Sequence, residues 1–277
     1  VKKKDLQLLL EKLNIKPSKK LGQNFLTDNN LLDFIAKTAA AKKGDFIIEI
    51  GPGLGALTKL LLNSGADLTA VEYDSRLAEY LQEYIQAPNF KLIHQDACKL
   101  DFNNIIPQDK DWRIVANLPY SITTPLIAKF ISMPTPPKDM LFLLQKETAE
   151  RLASQINKKS YGSITVQIQN VYEIEYIRTV PPEVFYPKPI IHSAIIRFIK
   201  KQTIPTIEER TLLNTLARAA FSQRRKKMIN NMQSEFKKID FVAIFDKLNI
   251  EQNTRAENLT PEEYLQLTKI ILPYICS

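Results

Sequence analysis

The sequence predicts an α/β fold, a parallel doubly wound sheet followed by a small all-helical domain. Short, β-rich apolar runs alternate with helical patterns from about residue 45 to 200. Such alternation places parallel strands under helices on both faces. Composition then changes at 202–206, "QTIPT", and every later pattern is helical. The boundaries that follow are 1–203 for the sheet domain with a basic N-terminal segment, and 204–277 for the helical domain.

In chain order, the strands are "DFIIEI" (45–50), "DLTAVE" (67–72), "FKLIHQ" (90–95), "RIVAN" (113–117) and "MLFLLQ" (140–145). Helical patterns at 55–64, 75–85, 123–132 and 146–156 separate or follow them. "SITVQIQNVYEIEYIRTV" (163–180) and "HSAIIRFIK" (192–200) read as further strands with no helix of useful length between them, an antiparallel pair finishing the sheet. The helical domain reads as 207–221, 224–233, 240–247 and 261–272. The last has a defined start: Thr260 as N-cap, Pro261 at the first helical position and Glu263 reaching back as a capping box.

At 277 residues the chain is long enough for one large and one small domain. No apolar run approaches the ~18 residues of a membrane span, and charge interrupts "VKKKDLQLLLEKLNI" too early for a signal peptide. Cys98 and Cys276 form no disulfide framework, and two histidines are too few for an expected metal site. A reducing cytoplasm is the expected compartment. Charge is unevenly placed. Residues 1–20 carry a net +5 and residues 197–238 a net +8, on a chain whose total is +8. Two basic segments on an otherwise acidic chain suit a polyanionic partner, and they equally suit two solvated faces.

The loop "EIGPGLGALT" (49–58) joins the first strand to its helix, with glycines at 51, 53 and 55. It lacks the Gly-Lys-Ser/Thr of a P-loop and the spacing of a dinucleotide fingerprint. Alone it is no more than a tight turn. Glu72 ends the second strand, 21 residues after Gly51, where a carboxylate can accept from both ribose hydroxyls. Asp96 follows the third strand and can accept from an adenine amino group. Each acid alone reads as a solvated strand end; together with the glycine loop they describe a nucleoside pocket. NAD and S-adenosylmethionine both fit it.

Asn117-Leu118-Pro119-Tyr120 closes the fourth strand at the same edge of the sheet. An exocyclic amine is a poor nucleophile because its lone pair is delocalised into the ring. Acceptance of its two N–H hydrogens, by the Asn117 side-chain oxygen and the Leu118 carbonyl, favours tetrahedral nitrogen and frees the lone pair to meet an electrophilic methyl group. Pro119 fixes the acceptors in advance, and Tyr120 stacks on the ring. This is catalysis by orientation and preorganised polarity. Without the upstream pocket the same residues would read as a proline turn beside a half-buried tyrosine.

"KKLGQNFL" (19–26), "EIGPGLGALT", "VEYD" (71–74), "NLPYSITTPL" (117–126) and "FSQRRKKMINNM" (221–232) together resemble the rRNA adenine N6-dimethyltransferase family, over about residues 18–272. The resemblance implies a Rossmann-like S-adenosylmethionine methyltransferase sheet with a C-terminal helical domain. It implies conversion of two adjacent adenosines near the 3′ end of small-subunit rRNA to N6,N6-dimethyladenosine. Carried over by position, it implies cofactor contacts from Asn24, Leu26, Gly51, Glu72, Asp96 and Asn117. It also implies that Phe185, in "VPPEVFYPKP" (180–189), faces Tyr120 across the target base and completes a catalytic set with Asn117, Leu118 and Pro119. As a lone residue Phe185 reads as core. Two departures stand out: Gln95 where the family has Gly before Asp96, and His192, which reads as a structural histidine, where it has an acid.

"RRKK" (224–227), with Arg218, reads as a basic helix: Arg218, Arg225 and Lys226 fall near one face. The resemblance assigns Arg218, Arg224, Arg225, Lys226 and Lys227 to rRNA phosphates, contacts that position RNA without reading its sequence. "KPSKKLGQNF" suggests a loop that closes over ligand or RNA. The expected protein is a monomeric, cytoplasmic enzyme acting on a nearly assembled 30S subunit. Its rivals are a large-subunit rRNA adenine methyltransferase and an assembly factor that binds rRNA without catalysis. Intact Asn117, Pro119, Tyr120 and Glu72 argue against the latter.

Overall fold

The computed structural model describes residues 3–18, 21–108 and 110–275. Lys2, Lys19, Lys20 and Cys276, on which the charge and cysteine readings drew, lie outside them. The chain divides into two compact units, one of residues 1–126, 137–146 and 176–198, the other of 127–136, 147–175 and 199–277.

The first unit opens with helix α1 (Lys3–Lys12), the short strand β1 (Phe25–Leu26) and α2 (Asn29–Ala39). Then come β2 (Phe46–Ile50), α3 (Ala56–Leu62), β3 (Asp67–Glu72), α4 (Ser75–Tyr84), β4 (Phe90–His94), β5 (Trp112–Asn117), α5 (Thr123–Ser132) and β6 (Asp139–Gln145). Strands β2, β3, β5 and β6 are buried along nearly their whole length, as both-face coverage requires. One face shows the cause: Ile47, Leu68, Val115, Leu141 and Leu143 pack with Leu31, Leu32 and Ile35 of α2 and Leu57 and Leu61 of α3.

Seven strands form one sheet in the order β4-β3-β2-β5-β6-β9-β7, where β7 is Tyr172–Val180 and β9 is Ser193–Lys200. The pairs among β2–β6 are parallel. Chain order reverses direction at β2, which has β3 on one side and β5 on the other. That switch opens a crevice at the carboxyl ends of the strands, where open α/β sheets bind ligands. At the opposite end Arg113 pairs with Asp45 (2.9 Å) and Asp139 (3.2 Å), and Arg197 also holds Asp139, which pins the starts of the strands away from that crevice. Helix α6 (Lys146–Leu152) follows β6. Strand β8 (Phe185–Tyr186) pairs antiparallel with β1, with Leu26 opposite Phe185 and Phe25 opposite Tyr186.

The expected strand at 163–180 is a strand only from Tyr172; Ser163–Gln169 is helix α7. β-Branched Ile164, Thr165, Val166 and Ile168 favour a strand locally, but packing prevails. Thr165 Oγ1 accepts from Gly162 N–H (3.2 Å) at the helix start and donates to Arg151 O (2.8 Å), while Val166 enters the helical core.

That core belongs to the second unit, with α8 (Ile207–Ala220), α9 (Met228–Glu235), α10 (Phe241–Lys247) and α11 (Pro261–Ile275). Leu213, Leu216, Met228, Met232, Phe241 and Tyr264 are fully buried there with Val166. The α11 capping box forms as expected: Thr260 N–H donates to Glu263 Oε2 (2.7 Å) and Glu263 N–H to Thr260 Oγ1 (3.2 Å). The "RRKK" run is not helical. Residues 221–227 form turns between α8 and α9. Arg224 explains the break, since its guanidinium donates to the carbonyls of Lys158, Lys159 and Tyr161 and approaches Glu257 (4.0 Å). Among the described residues no helix is long and apolar enough to cross a membrane.

Candidate active site

Strand register assembles the site. Ile50 of β2 is level with Val71 of β3 and Ala116 of β5, so the next residues, Gly51, Glu72 and Asn117, stand at one level of the sheet edge. Glu72 is level with His94 of β4, and Asp96 follows two residues later. Gly51, Glu72, Asp96 and Asn117 line a cavity of about 590 Å³, within the ~300–1,000 Å³ typical of ligand sites. Asn24, Leu26, Leu118, Pro119 and Tyr120 also line it.

The segment before β1 belongs to the same site. Asn117 Nδ2 donates to Asn24 O (3.1 Å). A carbonyl only accepts, so the Asn117 nitrogen faces Asn24, and its oxygen accepts nothing from the described residues. Leu118 N–H donates to Leu143 O (3.0 Å), while the Leu118 carbonyl also accepts nothing from them. Two adjacent residues that line the cavity thus each keep an acceptor with no donor from the described residues. Gly22 packs against Pro119: a Cβ on Gly22, whose φ is +64°, would lie 3.2 Å from Pro119 Cβ. Gly53 (φ +60°) is pressed as closely by the Phe25 ring, also 3.2 Å from its would-be Cβ. Glycines at 22 and 53 thus let the β1 segment seat on both the glycine loop and the Asn-Leu-Pro-Tyr turn.

Glu72 is buried, and its Oε1 accepts from Tyr73 and Asp74 N–H (2.8 and 2.9 Å), its Oε2 from Gly53 N–H (3.3 Å). Burial raises its pKa against those backbone hydrogen bonds. A carboxylate offers about four acceptor positions, so capacity remains for a hydroxyl. Asp96 is half-buried, with Oδ1 accepting from Cys98 N–H (2.9 Å). Gln95 is exposed on the cavity wall.

Glu49, at the end of β2, went unassigned in the sequence although it opens the glycine motif. It is 2% exposed and lines the cavity, and its Oε2 has no hydrogen-bond partner among the described residues. Burial pushes its carboxyl up to about 8, against the pull of the nearby Thr58 hydroxyl and with a further push from Glu72. A buried acid with an orphaned oxygen suits a positively charged centre in the ligand. Glycine turn, ribose-competent carboxylate and orphaned acid together fit an adenosyl sulfonium.

Tyr120 is half-buried, its hydroxyl 2.9 Å from Ser193 Oγ; burial raises its pKa. Phe185 departs from expectation. It is 1% exposed, packs with Leu26, Val180 and Ile195, and does not line the cavity. Its pairing opposite Leu26 turns the ring into the core, so it supports the β1 ribbon rather than facing Tyr120. His192 is exposed rather than a packed structural histidine, with its carbonyl accepting from Lys146 N–H (3.0 Å). Arg218, Arg225, Lys226 and Lys227 are exposed in the second unit.

Comparisons with known proteins agree on one family. The model of the ribosomal RNA adenine dimethylase family matches residues 14–272. A ribosomal RNA small subunit methyltransferase A of Clostridium acetobutylicum is 39% identical over 264 residues, covering 94% of this chain and 95% of its own. The enzyme of that name from Chlamydia abortus is 39% identical, covering 95% and 94%. Among solved structures, a dimethyladenosine transferase from Plasmodium falciparum superposes with a TM-score of 0.75 at 25% identity, over 89% of this chain and 97% of its own. The 23S rRNA methyltransferase ErmE shares the fold, with a TM-score of 0.67 at 24% identity over 89% and 98%.

Proposed function

Because the chain belongs to the ribosomal RNA adenine dimethylase family, we propose that the Asn117–Tyr120 turn presents a small-subunit rRNA adenosine for transfer of two methyl groups to its N6. The enzyme is an S-adenosylmethionine-dependent rRNA adenine dimethyltransferase with a Rossmann-like sheet. Its substrates are two adjacent adenosines near the 3′ end of the RNA, met in a nearly assembled 30S subunit. It acts as a cytoplasmic monomer. The observation that carries this reading is the pair of unengaged acceptors on Asn117, level with Gly51 and Glu72, and on the next residue, Leu118. Transfer of labelled methyl groups to undermethylated small subunits, followed by mapping of modified nucleotides, tests it. Label confined to large-subunit RNA would overturn it.

S-Adenosylmethionine supplies an electrophilic methyl on a sulfonium. Glu72 receives the ribose hydroxyls, Asp96 the adenine amino group, and Asn24 and Leu26 close the cavity wall. Glu49 offers its orphaned oxygen to the positive end. Asn117 Oδ1 and Leu118 O accept the two N–H hydrogens of the target amine, so its lone pair leaves conjugation with the ring. Pro119, wedged against Gly22, holds both acceptors before the substrate arrives. Tyr120, fixed through Ser193, stacks on the base. Placement and polarity lower the barrier.

Glu72→Ala is expected to weaken S-adenosylmethionine binding by ~10-fold or more, the scale of lost hydrogen bonds to a charged acceptor. Calorimetry checks this, and unchanged affinity removes Glu72 from the site.

The basic turn 221–227 supplies rRNA affinity in this reading. Since Arg224 is engaged with three carbonyls, the informative variant replaces Arg225, Lys226 and Lys227 with alanine and leaves Arg224 in place. RNA binding is expected to weaken and its salt dependence to flatten, by a slope of roughly 0.7–0.9 for each phosphate no longer neutralised. Cofactor affinity stays unchanged. An unaltered salt slope would make the turn a solvated face.

A further inference from the structure

The loop between β8 and β9, residues 187–192, ends at the residue that fixes Tyr120. Ser193 is 1% exposed and its Oγ lies 2.9 Å from the Tyr120 hydroxyl. The preceding His192 carbonyl accepts from Lys146 N–H (3.0 Å). At its other end the loop leaves the β1–β8 ribbon, and Lys188 pairs with Glu183 (2.5 Å). Pro187 and Pro189 fix φ on either side of Lys188. On this anchored, stiffened loop Ile190 is 100% exposed, whereas among the described residues the next most exposed large hydrophobic, Tyr274, is 69% exposed. A fully exposed isoleucine forgoes the favourable free energy of burying its side chain. Three residues reach at most about 11 Å, so Ile190 stands within that distance of the backbone that holds Tyr120.

We infer that Ile190 is a positioning residue for the rRNA reaction, a wedge that enters the base stack where the target adenosine leaves it. The inference rests on the assignment of rRNA adenosine as substrate. An adenine inside a stacked strand is out of reach of the Asn117–Tyr120 turn, and its extrusion costs a few kcal/mol. Nucleic-acid-binding proteins offset unstacking by inserting an apolar side chain between bases. Ile190 has the required character: it is apolar, fully exposed, and carried on a backbone that Pro187 and Pro189 stiffen, so that less loop entropy is lost on insertion. A protein-docking patch fits less well. Such patches span several hundred Å² of contiguous apolar surface. Here Lys188 and His192 are exposed and polar, and Ile191 is partly buried.

The test uses full-length Ile190→Ala, Ile190→Ser and Ile190→Leu in single-turnover methylation of undermethylated small subunits, with enzyme and S-adenosylmethionine saturating. The alanine and serine variants are expected to be about tenfold slower or worse, equivalent to ~1.4 kcal/mol of lost support for the extruded state. Leucine should restore the rate to within about twofold, since apolar bulk is what the wedge supplies. Melting temperature and cofactor affinity should match those of the parent. A near-parental rate for alanine overturns the wedge, and so does a leucine variant as slow as alanine. Failure of the parent itself to methylate small subunits would strike at the substrate assignment instead.

Discussion

Asn117→Ala is expected to slow methyl transfer by ~100-fold or more, the scale on which one preorganised polar contact acts in a transition state. The substitution removes the acceptor proposed for the target amine and the donor to Asn24 O (3.1 Å). Asn117→Asp separates the two losses. It retains an acceptor but sets a carboxylate against the Asn24 carbonyl, so its defect includes displacement of the β1 segment and appears in cofactor affinity. Tyr120→Ala should cost about 1–3 kcal/mol in capture of the base, the usual worth of aromatic stacking. Single-turnover assays on small subunits with saturating cofactor distinguish these effects. A near-normal rate in Asn117→Ala would leave the Asn-Leu-Pro-Tyr segment as a turn and nothing more.

Cofactor affinity is expected to rise with pH up to about 8, the value to which burial lifts Glu49, and then level off. The positively charged ligand favours the carboxylate form, so binding below that pH expels a proton, and affinity changes by as much as ~10-fold per pH unit. Stability of the ligand-free protein has the opposite trend. The folded-state pKa stands above the ordinary 4.5, so the native state binds the extra proton between 4.5 and about 8, and stability falls as pH rises through that window. Glu49→Gln should flatten both dependences. Calorimetric titration and thermal melts at pH 6, 7, 8 and 9 measure them (roughly one pKa unit apart, enough to resolve a single group). A Glu49→Gln profile parallel to the parent would exclude the group.

The core α/β alternation was legible because a parallel strand covered on both faces must be apolar along its middle, as β2 is at Ile47 and Ile48, β5 from Ile114 to Ala116 and β6 from Met140 to Leu144. With alternation comes register, and register is enough to align Gly51, Glu72 and Asn117. Local patterns failed where distant contacts outweighed them. Residues 163–169 have strand-like composition, yet they form a helix whose Val166 completes the core around Leu213 and Leu216. The "RRKK" run has helical spacing, but Arg224 is drawn to the carbonyls of residues 158–161, and the segment turns. The resemblance implies that Phe185 faces Tyr120 across the target base; pairing with Leu26 buries it in the core.

By itself, then, the sequence determined the α/β class, the strand ends that carry Glu72 and Asp96, the α11 cap and the motif set of the family. All of these follow from short-range periodicity and the chemistry of single side chains. Only the tertiary structure decided that Asn24 turns the Asn117 amide, that Gly22 seats against Pro119, that Glu49 is left with an orphaned oxygen, and that Ile190 stands free. Asn24 and Asn117 are 93 residues apart, and whether such groups meet is set by how the sheet edge closes around them. Desolvation has the same origin: the carboxyl of Glu49 acquires its pKa from the walls packed around it, and no local stretch of sequence contains those walls.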